Sequence, residues 1–241
     1  MELIRPDWPL PSRVRACVST RDGGVSAGVF AGLNLGDHVG DDPAAVAENR
    51  RRLVAELGLD KPAQWLRQVH GTEVIEARAD GQVRQADACW SDQPGQACIV
   101  MTADCLPTFF TDGERVAVAH AGWRGLVAGV LERTLSVFAD PSRVHCWLGP
   151  AIGPTAFEVG DEVRAQFCAA DAGAAGAFVA REGHPGKWFA DLYRLARLRL
   201  DATGVASVSG GEYCTFSDPE RFYSYRRDGE TGRMASVIWL E

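Results

Sequence analysis

Three short segments of this 241-residue chain carry side chains able to hold a metal ion or to attack a carbonyl group. They are His70 in WLRQVHGTEV, Cys105 in IVMTADCLP and His120 in VAVAHAGWRG. Each reads as a short β segment running into a tight turn, where a rigid sheet can present a reactive group. Two imidazoles and a thiolate are zinc ligands, and three protein ligands leave the fourth tetrahedral position open, as in catalytic rather than structural sites. Zinc held this way lowers the pKa of its water to about 7, which makes hydroxide available at neutral pH. Without metal, the same residues read as a Cys105 nucleophile with His120 or His70 as base and Asp104 as orienter. Spacing does not choose between these readings. His70 and Cys105 lie 35 positions apart and Cys105 and His120 lie 15 apart, unlike any compact zinc motif. Taken singly, each His or Cys is more commonly structural.

Neighbouring polar residues extend the candidate site. Asp104 either orients a ligand imidazole, moves a proton, or caps the turn before Pro107. Arg124, in HAGWRG, is placed for a phosphate clamp: its planar fork matches phosphate oxygens, and Gly122, Gly125 and a helix start would add backbone N–H groups. The plainer alternative is an ion pair at that helix start. Arg50 and Arg67 are further cations for an anionic substrate. Gln68 falls on the same side of its strand as His70 if the period of two holds, which makes it a substrate contact. His38 is placed to line the site from a glycine-rich loop. His145, within an apolar run, reads as a core histidine, and His184 has no special setting.

The elements that must position these residues mix strands and helices without strict alternation. Arg13–Thr20, Ala63–Val69, Glu73–Ala77, Ala97–Thr102, Arg115–Ala119 and Arg143–Leu148 read as strands. Arg21–Gly40 holds six glycines and reads as a long loop, a length that is uncommon in a compact domain unless it is functional. Asp42 and Pro43 open a helix that Gly58 ends. Further helices are expected over Gly125–Phe138, Val159–Ala170 and Trp188–Ala202, with Ala169–Ala177 as a loop. The end reads as strands Val205–Ser209, Arg221–Arg226 and Met234–Leu240, the last two joined by a hairpin turn at Asp228–Gly232. The expected class is α+β with a mixed sheet, in one domain spanning residues 1–241.

Hydrophobic residues make up 46% and charged residues 24%, enough apolar material for a real core, so disorder is excluded. A net charge of −7 gives no general attraction for nucleic acid or an anionic membrane. No run is long enough to span a bilayer, and the opening MELIRPDWPLPSR does not read as a secretory signal, so the cytosol is the expected compartment. Seven cysteines without a C-x-x-C pair fit reduced, mostly buried thiols. No self-complementary apolar helix is left over, so a monomer is expected.

The chain resembles the laccase-domain (YfiH-type) family, once called polyphenol oxidases and now described as zinc-containing purine nucleoside phosphorylases. The resemblance runs in order through STRDGGVSAGVFAGLNLGDHVGDDPAAVAENRRRL, WLRQVHGTEV, ADACW, TADCLP, AHAGWRG, LGPAIGPTAFEVGDEV and CTFSDPERFYSYRRDGETGRMASVIWL. It implies that His70, Cys105 and His120 bind the metal. It implies a sandwich of layered sheets, similar in its core to the cysteine deamidase domain of a bacterial necrotizing toxin. It further implies phosphorolysis of adenosine, inosine, guanosine and methylthioadenosine to base and sugar 1-phosphate, with adenosine deamination, and zinc as cofactor. The family also has a reported role in peptidoglycan editing, which a Cys/His hydrolase would fit. Copper can occupy a His2Cys set. Phenol oxidation of the multicopper kind needs a histidine-rich cluster that five histidines cannot furnish.

Overall fold

The computed structural model describes residues 1–8 and 11–241, and its core is two sheets packed face to face. One is antiparallel, in the order Leu3–Ile4, Val14–Ser19, Met234–Leu240, Cys98–Thr102. The other has six strands, in the order Ser207–Gly210, His145–Leu148, Leu106–Thr111, Val116–Ala121, Ala88–Ser91, Val74–Glu76. Its two outermost pairs are parallel and the inner ones antiparallel, which makes it mixed.

The period of two along the strands explains the layering. Met234, Ile238 and Leu240 pack with Val18, Val100, Phe109, Val118 and Trp147 between the sheets. The intervening Ala235, Val237 and Trp239, with Ile99 beside them on the next strand, pack against Leu33 and Leu53, beneath the helix Pro43–Glu56. Likewise Val116 and Val118 point between the sheets, while Ala117, Ala119 and Ala121 meet Leu126, Leu131 and Leu195 on the other side. The helices Trp123–Ala128, Val130–Leu135, Asp161–Ala170 and Leu192–Asp201 cover that outer face. Both sheets are thus buried on both faces, so their central strands are continuous apolar runs. The result is α+β with layered mixed sheets, as expected. A small antiparallel sheet (Glu158–Gly160, Lys187–Ala190, Phe178–Ala180) and the parallel pair Leu66–Arg67 with Arg84–Gln85 complete it.

Several expected elements differ. The strand Leu106–Thr111 lies in the middle of the large sheet although it contains Pro107, which sits near its start. The helix expected over Gly125–Phe138 is two, Trp123–Ala128 and Val130–Leu135, broken where Gly129 turns left-handed at φ 99°. The helix expected from Trp188 begins at Leu192, where Asp191 accepts a hydrogen bond from the Arg194 amide; Lys187–Ala190 is a strand. The helix expected from Val159 begins at Asp161, after the strand Glu158–Gly160, and the Ala/Gly-rich stretch winds into a 3-10 helix over Ala172–Ala177. Arg221–Arg226 is no strand. It ends in a short helix, Tyr225–Asp228, capped by Ser224, so no hairpin joins it to Met234–Leu240. The helix after Asp42 is found as read, with the Asp42 carboxylate accepting from the Ala44 amide.

Candidate metal centre

The chain leaves the four-stranded sheet at Thr102 and enters the six-stranded sheet at Leu106, so this crossing between the layers is made by just Ala103, Asp104 and Cys105. That crossing is sharp, and Asp104 makes it with a left-handed backbone, φ 92°. Among the described residues the one other non-glycine in this region is His70, at φ 59°. Such a conformation costs about 1–2 kcal/mol for a residue with a Cβ, so surrounding bonds must enforce it.

For His70 those bonds come from one buried carboxylate, Asp87. Its Oδ1 accepts from the His70 amide at 2.8 Å, and its Oδ2 accepts from the Gly71 and Val69 amides at 2.7 and 3.2 Å. The same Oδ1 lies 2.9 Å from His120 Nδ1. Asp87 therefore fastens the turn bearing one imidazole to the ring of the other. Burial works against its charge, but the bonds from His120 and Gly71 outweigh it and hold its pKa below the usual carboxylate range. Gln68 locks the turn from the other side. Its side-chain amide donates to the Met101 carbonyl and accepts from the Met101 amide, both at 2.7 Å, and so caps the free edge of the Cys98–Thr102 strand.

His120 lies inside the strand Val116–Ala121, opposite Pro107, rather than in a turn beyond it. It continues the parity of Val116 and Val118 and so points between the sheets, towards Cys105 and His70. Cys105 Sγ is 3.8 Å from His70 Nε2, and the His70 and His120 rings stand edge to face with centroids 4.7 Å apart. With Nδ1 of His120 engaged by Asp87, Nε2 is the nitrogen left to bind. One donor atom from each of the three residues lies within 4.8 Å of the others. Zinc–sulfur and zinc–nitrogen bonds of about 2.3 and 2.0 Å at a tetrahedral angle put such donors roughly 3.5 Å apart, so the set fits a single ion after a small contraction. Gly122 is required by this crowding: a Cβ there would stand 2.7 Å from His70 Cδ2 and 3.0 Å from Cys105 Sγ. In the metal-free protein, burial pushes the Cys105 thiol up, but the His120 imidazole and bonds from both histidines bring it down to about 6. Burial opposes charge on His120 too, yet the Cys105 thiolate and Asp87 raise it to about 9. The resting pair is thus thiolate and imidazolium.

The three residues sit in the floor of a cleft of about 440 Å³, walled by His38, Gln68, Met101, Thr102, Ala103, Tyr225 and Arg233. His38 lines it, as the glycine-rich loop suggested. Asp104 does not touch a ligand histidine. Its carboxylate accepts from Thr215 Oγ1 and the Arg226 amide, both at 2.6 Å, so it anchors the turn that presents Cys105. Arg124 is exposed, stacks on Trp123 at 4.4 Å, and does not line the cleft. Arg50 is committed elsewhere: it donates to the Leu35 carbonyl, pairs with Asp37 at 3.2 Å and lies 4.1 Å over Trp65. Arg67 borders a smaller hollow beside the cleft, together with Asp37, His38 and Gln68. His145 bonds to Ser207 at 2.8 Å and has a structural place.

Three site residues escaped the reading of the sequence: Asp87, Tyr225 and Arg233. The signal for two of them was a charge where apolar residues dominate. Asp87 precedes the buried strand of ADACW, and Arg233 abuts Met234–Leu240. Charged residues so placed are seldom buried unless paired or put to use.

The chain is similar to known proteins along nearly its whole length. Residues 15–241 match the model of the family described as multi-copper polyphenol oxidoreductase laccase. A protein of Pseudomonas aeruginosa named purine nucleoside phosphorylase is 60% identical over 99% of this chain and 98% of its own. The Escherichia coli purine nucleoside phosphorylase YfiH is 54% identical over 99% of both. The crystal structure of Neisseria meningitidis protein NMB0706 superposes with a TM-score of 0.96 at 48% identity, covering all of both chains. YlmD from Geobacillus stearothermophilus superposes at 0.89 with 33% identity, covering 100% of this chain and 97% of that one. Among the described residues, His70, Cys105 and His120 are the one set of three or more such donors that converges, and no helix is long and apolar enough to cross a membrane. A mixed-sheet sandwich with its converging donors at the crossing between layers, matched along nearly its whole length, places the chain in the laccase-domain (YfiH-type) family.

Proposed function

We propose that this protein is a zinc-dependent purine nucleoside phosphorylase acting on adenosine, inosine, guanosine and methylthioadenosine, with adenosine deamination as a second activity. The observation that carries the reading is the convergence of His70, Cys105 and His120, locked by Asp87, in the floor of a cleft sized for a small molecule. Two imidazoles and a thiolate suit zinc and form a single site, which is too few ligands for multicopper chemistry. Zinc held by His70, Cys105 and His120 would supply a Lewis acid for an oxygen of substrate or water.

The chain's own residues supply the rest. His38 and the exposed ring of Tyr225 offer flat faces to a purine. In phosphorolysis a phosphate oxygen forms a bond to the anomeric carbon as the bond to the purine nitrogen breaks. The electron pair leaves on the base, which takes up a proton, and the products are the free base and the corresponding sugar 1-phosphate. Gln68 and Asp87 hold the reactive groups rigid, and Asp104 plays a positioning part. The protein acts as a monomer in the cytosol on small molecules, with no nucleic acid partner.

Product analysis by chromatography tests this. Zinc-loaded protein is incubated with adenosine, with and without phosphate, beside Cys105→Ala. Adenine formed only with phosphate and only by the parent supports phosphorolysis at this site, and inosine formed without phosphate supports deamination. Neither product in any sample would overturn the proposal. A second reading then leads, because the 3.8 Å contact between Cys105 and His70 and the low thiol pKa also suit a Cys/His hydrolase acting on a cell-wall precursor. Alkylation separates the two: zinc protects a ligand Cys105, whereas a nucleophile is protected by its substrate.

A further inference from the structure

We propose that Arg233 is the residue that binds inorganic phosphate in this cleft, with the Asn34–Gly36 segment of the glycine-rich loop as its mount. The proposal rests on the phosphorylase reading for its purpose but on geometry for its place. Of the residues lining the cleft, Arg233 is the one permanent cation. Its neighbours in the arginine-rich C-terminal segment are committed: Arg226 donates to the Glu158 carbonyl, and Arg227 pairs with Asp228 and caps the Thr215, Phe216 and Phe222 carbonyls. Arg50, behind the cleft, is paired with Asp37. Arg233 has no carboxylate within ion-pairing distance among the described residues. One terminal nitrogen, Nη1, donates to the Thr231 and Gly232 carbonyls at 2.9 Å each, which fixes the plane of the guanidinium and leaves Nε and Nη2 free. A half-buried guanidinium with two parallel donors unclaimed is the fork that an oxyanion fits.

The mount is specific. The Arg233 amide donates to Asn34 Oδ1 at 2.9 Å, and its carbonyl accepts from the Leu35 amide at 3.1 Å. Asn34 is fully buried, and its own amide group bonds to Asp41. Gly36 lies against the Arg233 stem so closely that a Cβ would stand 2.7 Å from its Cγ. Part of the long glycine-rich loop therefore serves to aim one cation. Tyr225, whose ring lies 6.0 Å from the guanidinium, closes the far side. Burial alone would weaken the Arg233 charge; the nearby Cys105 and Asp104 charges partly sustain it. A bound dianion would do so further.

The test is titration calorimetry of inorganic phosphate into zinc-loaded protein, together with steady-state kinetics. Loss of a charge-assisted fork costs roughly tenfold to a hundredfold in affinity. Arg233→Gln is expected to weaken phosphate binding and raise the phosphate KM by that factor, while the nucleoside KM stays within twofold and zinc content is unchanged. Arg233→Lys, which keeps the charge and loses the fork, should fall between. A folded Arg233→Gln protein that binds phosphate as the parent does overturns the proposal, as does phosphate binding that depends on zinc alone. Should Arg233→Gln fail to fold, the parent labelled with 15N-arginine decides. The Nε–Hε resonance missing from Arg233→Lys must shift on phosphate addition, and its failure to move refutes the site. If phosphate binds through Arg233 but no base is ever released, the anion site stands and the phosphorylase reading falls.

Discussion

Replacing Asp87 by Asn tests the idea that one carboxylate holds the metal centre together. The substitution keeps size and shape but turns one acceptor oxygen into an NH2 group. If the amide keeps its oxygen towards His70 and His120, the NH2 faces the Val69 and Gly71 amides, which then lose their acceptor (now 3.2 and 2.7 Å away). If it flips, the His70 amide and the His120 ring lose theirs (2.8 and 2.9 Å). Either way two buried bonds to a charged acceptor vanish, at about 1.5–3 kcal/mol each before relaxation. A net loss of about 3 kcal/mol lowers the Tm of a chain this size by roughly 6–12 °C. Partners behind a ligand imidazole typically account for about tenfold to a hundredfold in metal affinity. Competition with a chromophoric chelator should show that loss for Asp87→Asn, and thermal unfolding of the metal-free protein should show the shift. The pH sign follows from the depressed carboxylate pKa. Its stabilisation is present above the unfolded value of about 4 and lost as pH falls through the lower folded value, so parent and variant should converge in acid. Zinc affinity within twofold of the parent, with an unchanged Tm, would refute the reasoning.

Gly122→Ala places a methyl group 2.7 Å from the His70 ring and 3.0 Å from Cys105 Sγ; the expected result is loss of bound zinc, read by atomic absorption, in a protein that still folds by circular dichroism. In metal-free protein, iodoacetamide should modify Cys105 with a midpoint near pH 6 rather than the 8.5 of a free thiol, because thiolate and imidazolium coexist between about 6 and 9; a midpoint above 8 would contradict the pairing. Arg124→Ala should leave the phosphate KM within twofold, since the side chain stacks on Trp123 outside the cleft; a tenfold rise would return it to the site.

The parts of this molecule legible in the sequence were those governed by neighbouring residues. Asp42 and Pro43 announced a helix because capping is local, and Met234–Leu240 read as a strand because its length and apolarity left little else. The strand Leu106–Thr111 was hidden by Pro107, whose missing N–H matters only inside a ladder and does little harm near a strand start. Most of the strand Lys187–Ala190, from Trp188 on, was drawn into the following helix because Phe189 and Leu192 mimic a helical stripe. The site was legible only through resemblance. No spacing rule brings His70, Cys105 and His120 together, since two sheets and a three-residue crossing do so. Asp87 escaped for the same reason: three of its partners, Val69, His70 and Gly71, are backbone amides, which leave no trace in side-chain identity, and the fourth, the His120 ring, is 33 residues away along the chain. Arg124 was favoured because it is close to His120 along the chain, whereas Arg233 reaches the cleft from 113 residues further on.

The parity of the Val116–Ala121 strand would give an ion bound by this donor set a second role, as a reporter of folding fidelity. His120 faces its co-ligands because it shares a side with Val116 and Val118. A slip of one residue against Leu106–Thr111 would send that imidazole into the helix layer and bring an alanine methyl in its place. Misregistered chains could stay compact, because the alanines on the other side are small enough to be buried either way, but they could not assemble the donor set. Zinc would then be captured by correctly paired molecules alone, and mass action would drain the misaligned population towards the native one.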